Sequence, residues 1–308
     1  MLSDEKILIT GPAGQIAFPM ARDLAKDNEV WGIARFGDPA TRKQVEDVGV
    51  KTLTIDLADP DFSELPNDFT YVLHLAVVQV AGLDYDFAIR ANAEGTGLLL
   101  HHCRTAKAAL VMSTHSVYKP PTDGDPWHVF KETDALGDVN AAHAPSYSMS
   151  KISQEAVART CARLFDLPVT IARMNASYGP DGTGGLPIMQ MDALMAGNPV
   201  TTRWDPCMYM PIHTDDITAQ AEALLDGASS TEATIVNWAG DEPASVQEWC
   251  AYIGELAGID PVVNSVPVDG TLRGSVTDNT KRAALTGPCK VSWRDGIRDA
   301  YEKRYGAK

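Results

Sequence analysis

Lys6-Ile7-Leu8-Ile9-Thr10 is an apolar run of buried-strand character that passes straight into Gly11-Pro12-Ala13-Gly14-Gln15-Ile16-Ala17, and no other stretch constrains the fold as tightly. Glycine at 11 permits a tight turn, and glycine at 14 lets the backbone approach a pyrophosphate. The helix that follows aims its positive N-terminal end at that anion. Ala17 takes the place of a third glycine, which close packing of helix on sheet tolerates. A glycine pair is weak evidence by itself, but its place in the first strand–helix unit predicts a dinucleotide cradle formed by Gly11, Gly14, Gln15 and Ile16.

The same rhythm continues through the first two thirds of the chain. Strands are expected at 6–10, 29–34, 51–55, 71–75, 109–113 and 168–173, and the helices between them include 15–26, 86–104 and 147–165. Such alternation implies right-handed βαβ crossovers and a doubly wound parallel sheet, an α/β Rossmann fold. From about 180 onward the pattern changes to Gly- and Pro-rich loops, Gly179-Pro180-Asp181-Gly182 and Gly184-Gly185-Leu186-Pro187, with a helix near 188–196. The expected organisation is a nucleotide-binding domain over 1–180, which also receives roughly 212–240, and a smaller, interleaved substrate lobe over most of 181–308.

Tyr147-Ser148-Met149-Ser150-Lys151 places a phenol and an ammonium four residues apart, on one helical face. A phenol titrates near pH 10, but a neighbouring ammonium and an oxidised nicotinamide ring both favour the phenolate and move it toward the range of a general acid/base. Further motifs follow in order along the chain. They are Asp56-Leu57, His74-Leu75-Ala76, Asn92-Ala93-Glu94-Gly95-Thr96, Ser113-Thr114-His115-Ser116-Val117-Tyr118, Arg173-Met174-Asn175-Ala176-Ser177-Tyr178-Gly179-Pro180 and His213-Thr214-Asp215-Asp216.

With the glycine turn and the Tyr-Lys pair, this series resembles the extended short-chain dehydrogenase/reductases, the NAD-dependent epimerase/dehydratase family. The resemblance implies that Asp56 and Leu57 contact the adenine ring and that Leu75 and Ala76 border the cofactor. It further implies that Tyr147 exchanges a proton with a substrate oxygen and that Lys151 lowers the tyrosine's pKa and grips the nicotinamide ribose. Thr114 would bind the same substrate oxygen, with Ser113 second in line for that role. A homodimer through helices 86–104 and 147–165 is also implied by the resemblance alone.

The cofactor can be read from the end of the second strand. NAD-binding relatives of this fold place a carboxylate there for the ribose hydroxyls, whereas this chain has Gly32-Ile33-Ala34-Arg35. Losing the carboxylate removes repulsion against a 2′-phosphate, and Arg35, with Arg42 or Lys43 in support, could bind one. NADP is therefore expected, with NAD the alternative. Family dehydratases carry Thr-Asp-Glu where this chain has Thr114-His115-Ser116, so loss of water from the substrate is not expected.

The expected activity is hydride transfer between nicotinamide and a carbonyl/hydroxyl pair of a small, rather apolar substrate. Leu186, Met189, Met191, Met195, Trp204, Met208, Tyr209 and Met210 concentrate apolar and aromatic side chains near the expected pocket. Most are expected to be ordinary core, and an apolar substrate follows if several line the cleft, while Tyr209 stands where many nucleotide-sugar members carry an arginine for the diphosphate. The alternative is a nucleotide-sugar epimerase that oxidises carbon 4 transiently, which Asn175 favours. A redox-inactive NADP-binding regulator is a third class, and such proteins usually lose the Tyr or the Lys.

Charge narrows the partners. Against 26 basic side chains stand 41 acidic ones, a formal net charge of −15, which repels nucleic acid and anionic membranes. An anionic substrate would then need a local basic patch. The five cysteines, at 103, 161, 207, 250 and 289, lack disulfide or zinc spacing, so no metal site is expected. Reduced thiols, the charged start Ser3-Asp4-Glu5-Lys6 and the lack of any apolar run near the ~20 residues that span a bilayer together suggest a cytoplasmic protein.

Overall fold

A computed structural model describes residues 2–79, 83–137, 145–181 and 184–306. Seven parallel strands form the central sheet: β1 (Lys6–Thr10), β2 (Glu29–Ala34), β3 (Lys51–Thr54), β4 (Tyr71–His74), β5 (Ala108–Thr114), β7 (Val169–Met174) and β12 (Thr234–Trp238). Their order across the sheet is β12-β7-β5-β4-β1-β2-β3, so the order reverses beside β1, where open α/β sheets bind ligands at their carboxyl edge. Four two-stranded pairs complete the strands: β6 (Val129–Phe130) with β15 (Val276–Thr277), β8 (Ser177–Tyr178) with β11 (Ile212–His213), β9 (Val200–Thr202) with β14 (Val263–Ser265), and β10 (Met208–Tyr209) with β13 (Ala244–Ser245).

The helices are α1 (Ala17–Leu24), α2 (Pro39–Asp47), α3 (Tyr85–Ile89), α4 (Gly95–His102), α5 (Tyr147–Phe165), α6 (Leu186–Met195), α7 (Thr214–Asp226), α8 (Val246–Ala257), α9 (Thr280–Thr286) and α10 (Trp293–Tyr305). The single helix expected over 86–104 is interrupted by a π-helical turn at Arg90–Glu94 between α3 and α4. Such turns insert a residue into the regular ladder and often mark functional sites.

Strand geometry explains the core. Successive residues point to opposite faces, so Ile7 and Ile9 pack with Met20, Leu73, Ile217 and Trp238, whereas Leu8 packs on the other side with Val72, Leu99, Val111 and Ile171. Burial on both faces is why these strands read as continuous apolar runs. A third cluster builds the lobe around Tyr178, Met191, Trp249, Ile253, Ile297 and Tyr301. The last strand of the sheet, β12, comes from beyond residue 230, so the chain re-enters the nucleotide-binding layer after its first excursion into the lobe.

Candidate active site

At the carboxyl end of β1 the backbone turns through Gly11, whose φ of +66° favours glycine. A Cβ there would lie 3.2 Å from the Cα of Ala76, so the residues after β4 press directly on the turn. The N-cap of α1, Ile16, supplies no side-chain capping bond, while in the first turn the Phe18 N–H donates to the Gly14 carbonyl at 2.8 Å and Pro19 carries no N–H. Gly14, exposed on the outer side of the turn, keeps the approach of an anion open. These features fit a dinucleotide pyrophosphate. The Gln15 side chain faces elsewhere, donating to the Ser177 carbonyl at 3.4 Å and tying the turn to the lobe.

Around the cradle the other expected cofactor residues gather at the same sheet edge. A Cβ on Gly95 would collide with the Leu57 carbonyl oxygen, so the Asn92–Thr96 helix start backs directly onto the segment after β3. Asp56 is exposed, its carboxylate accepting the Ala58 N–H at 3.0 Å. Leu75 is buried and Ala76 half-buried, its N–H donating to the Thr10 hydroxyl at 2.9 Å. Arg35 is exposed at the end of β2. Arg42 instead bonds Glu46 at 2.8 Å and Thr52 at 2.9 Å, and Lys43 bonds Asp47 at 2.5 Å, so neither supports Arg35 as the sequence suggests.

α5 starts at Tyr147, which seats the phenol beside the end of β5. Burial raises the Tyr147 pKa, while hydrogen bonds from the side chains of Thr114 and Gln79 pull it the other way. The structure thus joins Tyr147 to Thr114, and among the protein's own groups desolvation of the phenolate outweighs those bonds. Lys151 is 1% exposed and donates to the Met112 carbonyl and to Gln154 Oε1, both at 2.6 Å. Burial pushes its pKa down to about 7, with the Glu155 carboxylate opposing the fall. Ser113 lies beside Thr114 on the strand but faces the other way, donating to Glu155 Oε1 at 2.6 Å.

A closed polar chain connects the two halves of this site. His74 Nδ1 meets the Thr10 hydroxyl at 2.8 Å and its Nε2 meets the Thr96 hydroxyl at 2.7 Å. Gln154 donates to the same Thr96 oxygen at 2.9 Å and accepts from Lys151. Burial, and secondarily the charge of Lys151, pushes the His74 pKa down to about 3, so its imidazole is a neutral relay of hydrogen bonds. Asn92 closes the upper side by bonding the Val78 backbone at 2.8 and 2.9 Å and Ser150 Oγ at 3.0 Å.

The substrate side is built from distant segments. Asn175 joins three of them, donating to the Ser275 carbonyl at 2.7 Å and accepting from Met210 N at 3.1 Å. Two arginines missed by the sequence reading lie in the same region. Arg203 reaches the Tyr209 hydroxyl at 3.4 Å. Arg273 stacks over the Trp204 ring at 4.4 Å and donates to the Gly124 carbonyl at 3.3 Å, its buried Nε having no partner among the described residues. Both ring nitrogens of His115 are likewise buried, among Tyr118 and Phe130, with no hydrogen-bond partner among the described residues.

The apolar residues near the expected pocket are mostly lobe core, as expected. Met191 and Met208 are buried, Leu186, Met195, Trp204 and Tyr209 pack at the edge of the third cluster, and Met210 joins a small cluster with Ala239 and Val276. Met189 alone is largely exposed. Their spacing on α6 and the following hairpin reflects the helix and strand periods of a packed core, which composition alone does not separate from a pocket wall.

The sequence profile of the NAD dependent epimerase/dehydratase family matches residues 7–200. A probable UDP-glucuronate 4-epimerase of Rhizobium meliloti (strain 1021) is 23% identical over 334 residues, covering 95% of this chain and 94% of that protein. The UDP-glucuronic acid 4-epimerase of Bacillus cereus, in complex with UDP-glucuronic acid and NAD, superposes with a TM-score of 0.82 at 23% identity, over 97% of this chain and 98% of that one. A UDP-glucose 4-epimerase of Thermus thermophilus in complex with NAD gives 0.80 at 24% identity, over 98% and 100%. The likeness extends over the lobe as well as the sheet, so the whole fold is shared. No described helix is long and apolar enough to cross a membrane.

Proposed function

The chain belongs to the NAD dependent epimerase/dehydratase family, and we propose that it is a nucleotide-sugar 4-epimerase that retains its dinucleotide and returns the hydride to the opposite face of the sugar. The observation that carries this reading is the pair Arg203 and Arg273 flanking Trp204, with Asn175 nearby in the same lobe. Tyr209 by itself argues against a diphosphate ligand, because the arginine usual at that position is absent. Arg203 reaches its hydroxyl, so cationic character is restored there from another segment. In a protein of net charge −15, such a local basic patch is what an anionic substrate requires. The relatives named above act on UDP-sugars, and UDP-glucuronate is the first candidate they suggest.

In this reading the first-turn backbone at Gly11, Gly14, Gln15 and Ile16 holds the pyrophosphate, and Asp56 and Leu57 meet the adenine end. Leu75, Ala76, Tyr147 and Lys151 border the nicotinamide and its ribose. When bound, the nicotinamide supplies the acceptor and donor of hydride. Tyr147 removes the proton of the sugar hydroxyl and later gives it back, while Thr114 orients that oxygen. Burial makes the phenol a weaker acid and the phenolate base scarcer, so a cation must favour the phenolate, and Lys151 on the same helical face supplies it.

A second reading survives on one observation. Ala34 and the exposed Arg35 at the end of β2 suit NADP, and an NADP enzyme that exchanges its cofactor would be a net dehydrogenase or reductase. Proton NMR of UDP-glucuronate and UDP-glucose incubated with the purified protein, without added dinucleotide, separates the two. Interconversion of 4-epimers supports the epimerase; conversion only with stoichiometric added NADP or NADPH supports the oxidoreductase. The exposed Leu98 of α4 and Leu164 of α5 agree with a homodimer through these helices, which light scattering would test.

A further inference from the structure

The face of α5 that carries Tyr147 and Lys151 holds a third functional side chain at the same interval, Glu155. Each of the three is held by a different residue of the last turn of β5. Tyr147 is bonded by Thr114, Lys151 by the Met112 carbonyl at 2.6 Å, and Glu155 by the Ser113 hydroxyl at 2.6 Å. Arg173, the register partner of Ser113 on β7, grips the same carboxylate twice, Nε to Oε1 at 2.9 Å and Nη2 to Oε2 at 2.7 Å. Its remaining nitrogen donates to the Glu132 carbonyl at 3.0 Å, and its guanidinium lies over the Tyr118 ring at 4.8 Å.

Both members of this ion pair are almost wholly buried, with side-chain exposures of 2% and 4%. A buried pair of this kind returns little net stability, since apolar side chains of similar volume often serve as well or better. Its place, one turn beyond Lys151 and directly behind Thr114, suggests another use. We propose that Glu155 is a positioning residue for the reaction: clamped by Ser113 and Arg173, it sets α5 against β5 and supplies the fixed counter-charge for the Lys151 ammonium. This inference rests on the catalytic reading of Tyr147 and Lys151.

The surroundings of Lys151 leave that task to Glu155. On α5 its other contact is the neutral Gln154, and on β5 it meets only the Met112 carbonyl. On β4, His74 is held neutral by burial. On β7, Arg173 is bonded to Glu155 itself. Tyr147 shares the face and is kept protonated by burial. Burial pushes the lysine down and the Glu155 carboxylate opposes that fall, leaving it at about 7.

The test is a carbon-13 NMR titration of biosynthetically labelled lysine Cε, with Lys151→Met to assign the signal. In Glu155→Gln the Lys151 midpoint should fall by roughly one pH unit or more, a tenfold change in proton affinity, as expected for loss of a neighbouring charge at an effective dielectric near 20. Because that substitution strands the Arg173 charge, Glu155→Gln combined with Arg173→Gln provides a second, charge-balanced variant in which the midpoint should also fall. An unchanged midpoint in either folded variant, even with lower thermal stability, overturns the proposal. The catalytic reading fails separately, if Tyr147→Phe keeps full turnover.

Discussion

The two sides of the site treat their polar groups differently. On the cofactor side, Thr10, His74, Thr96, Gln154 and Lys151 bond one another in a closed chain. On the substrate side, His115 Nδ1 and Nε2 and Arg273 Nε are buried with no partner among the described residues. An unsatisfied buried group costs about 1–3 kcal/mol, and natural folds keep few of them, mostly at functional places. The chain from Thr10 to Lys151 is thus completed by the protein itself, whereas Arg273 Nε and the neutral His115 ring are among the buried groups, with Ser146, Ser148 and His213 Nε2, that have no partner among the described residues.

The largest expected effect breaks the catalytic link between the sides. Tyr147→Phe removes only the phenolic proton and should lower steady-state turnover by roughly 10²–10⁴ with dinucleotide affinity unchanged by calorimetry. Full turnover in that variant, with chemistry rate-limiting, would require another acid/base. Next comes the substrate side alone. Arg273→Ala should weaken nucleoside diphosphate binding roughly tenfold to a hundredfold, the range for a lost hydrogen bond to a charged group, and leave dinucleotide affinity as it was; equal losses for both ligands would contradict the separation.

The cofactor side has its own, smaller test. Arg35→Ala should reduce the NADP-to-NAD affinity ratio by about tenfold or more, measured by calorimetric titration of both dinucleotides. No change in that ratio would leave NAD as the natural cofactor and remove the main support for the oxidoreductase reading.

The smallest effect concerns stability against acid. His74 and His115 are each pushed down to about 3 by burial, while unfolded histidine titrates near 6.5. Above that value both states are neutral and the contribution is fully present. As pH falls from 6.5 toward 3, only the unfolded chain takes up protons, so stability drops by about 1 kcal/mol per pH unit for each histidine. Urea unfolding between pH 7 and 5 should show a shallower loss for His115→Phe than for the native chain; identical slopes would mean that His115 does not stay neutral in the fold.

The same contrast governs what could be read from the sequence. The cofactor side was legible because its determinants are local: a strand, Gly11 and Gly14, a helix start, and the i, i+4 pair of Tyr147 and Lys151 on α5. The substrate side was not, because Arg203 and Arg273 lie seventy residues apart, and Arg273 reaches the neighbourhood of Trp204 from a distant segment that also bonds Gly124. The apolar run around α6 is mostly lobe core, as expected, although a lobe core and a cleft wall share one composition. β12 escaped notice because Thr234–Trp238 is short and has no glycine turn to mark it. The burial that raises the Tyr147 pKa is a tertiary quantity that spacing does not carry.

The account stands on the hydride remaining in the site throughout the reaction. Its most direct test uses a nucleotide sugar deuterated at carbon 4, incubated with the protein and an excess of unlabelled oxidised dinucleotide, with product and dinucleotide both followed by mass spectrometry. The account predicts that the 4-epimer retains the deuterium and that the dinucleotide pool stays unlabelled. Deuterium appearing in released reduced dinucleotide, with an oxidised sugar as product, would contradict it and establish net dehydrogenation.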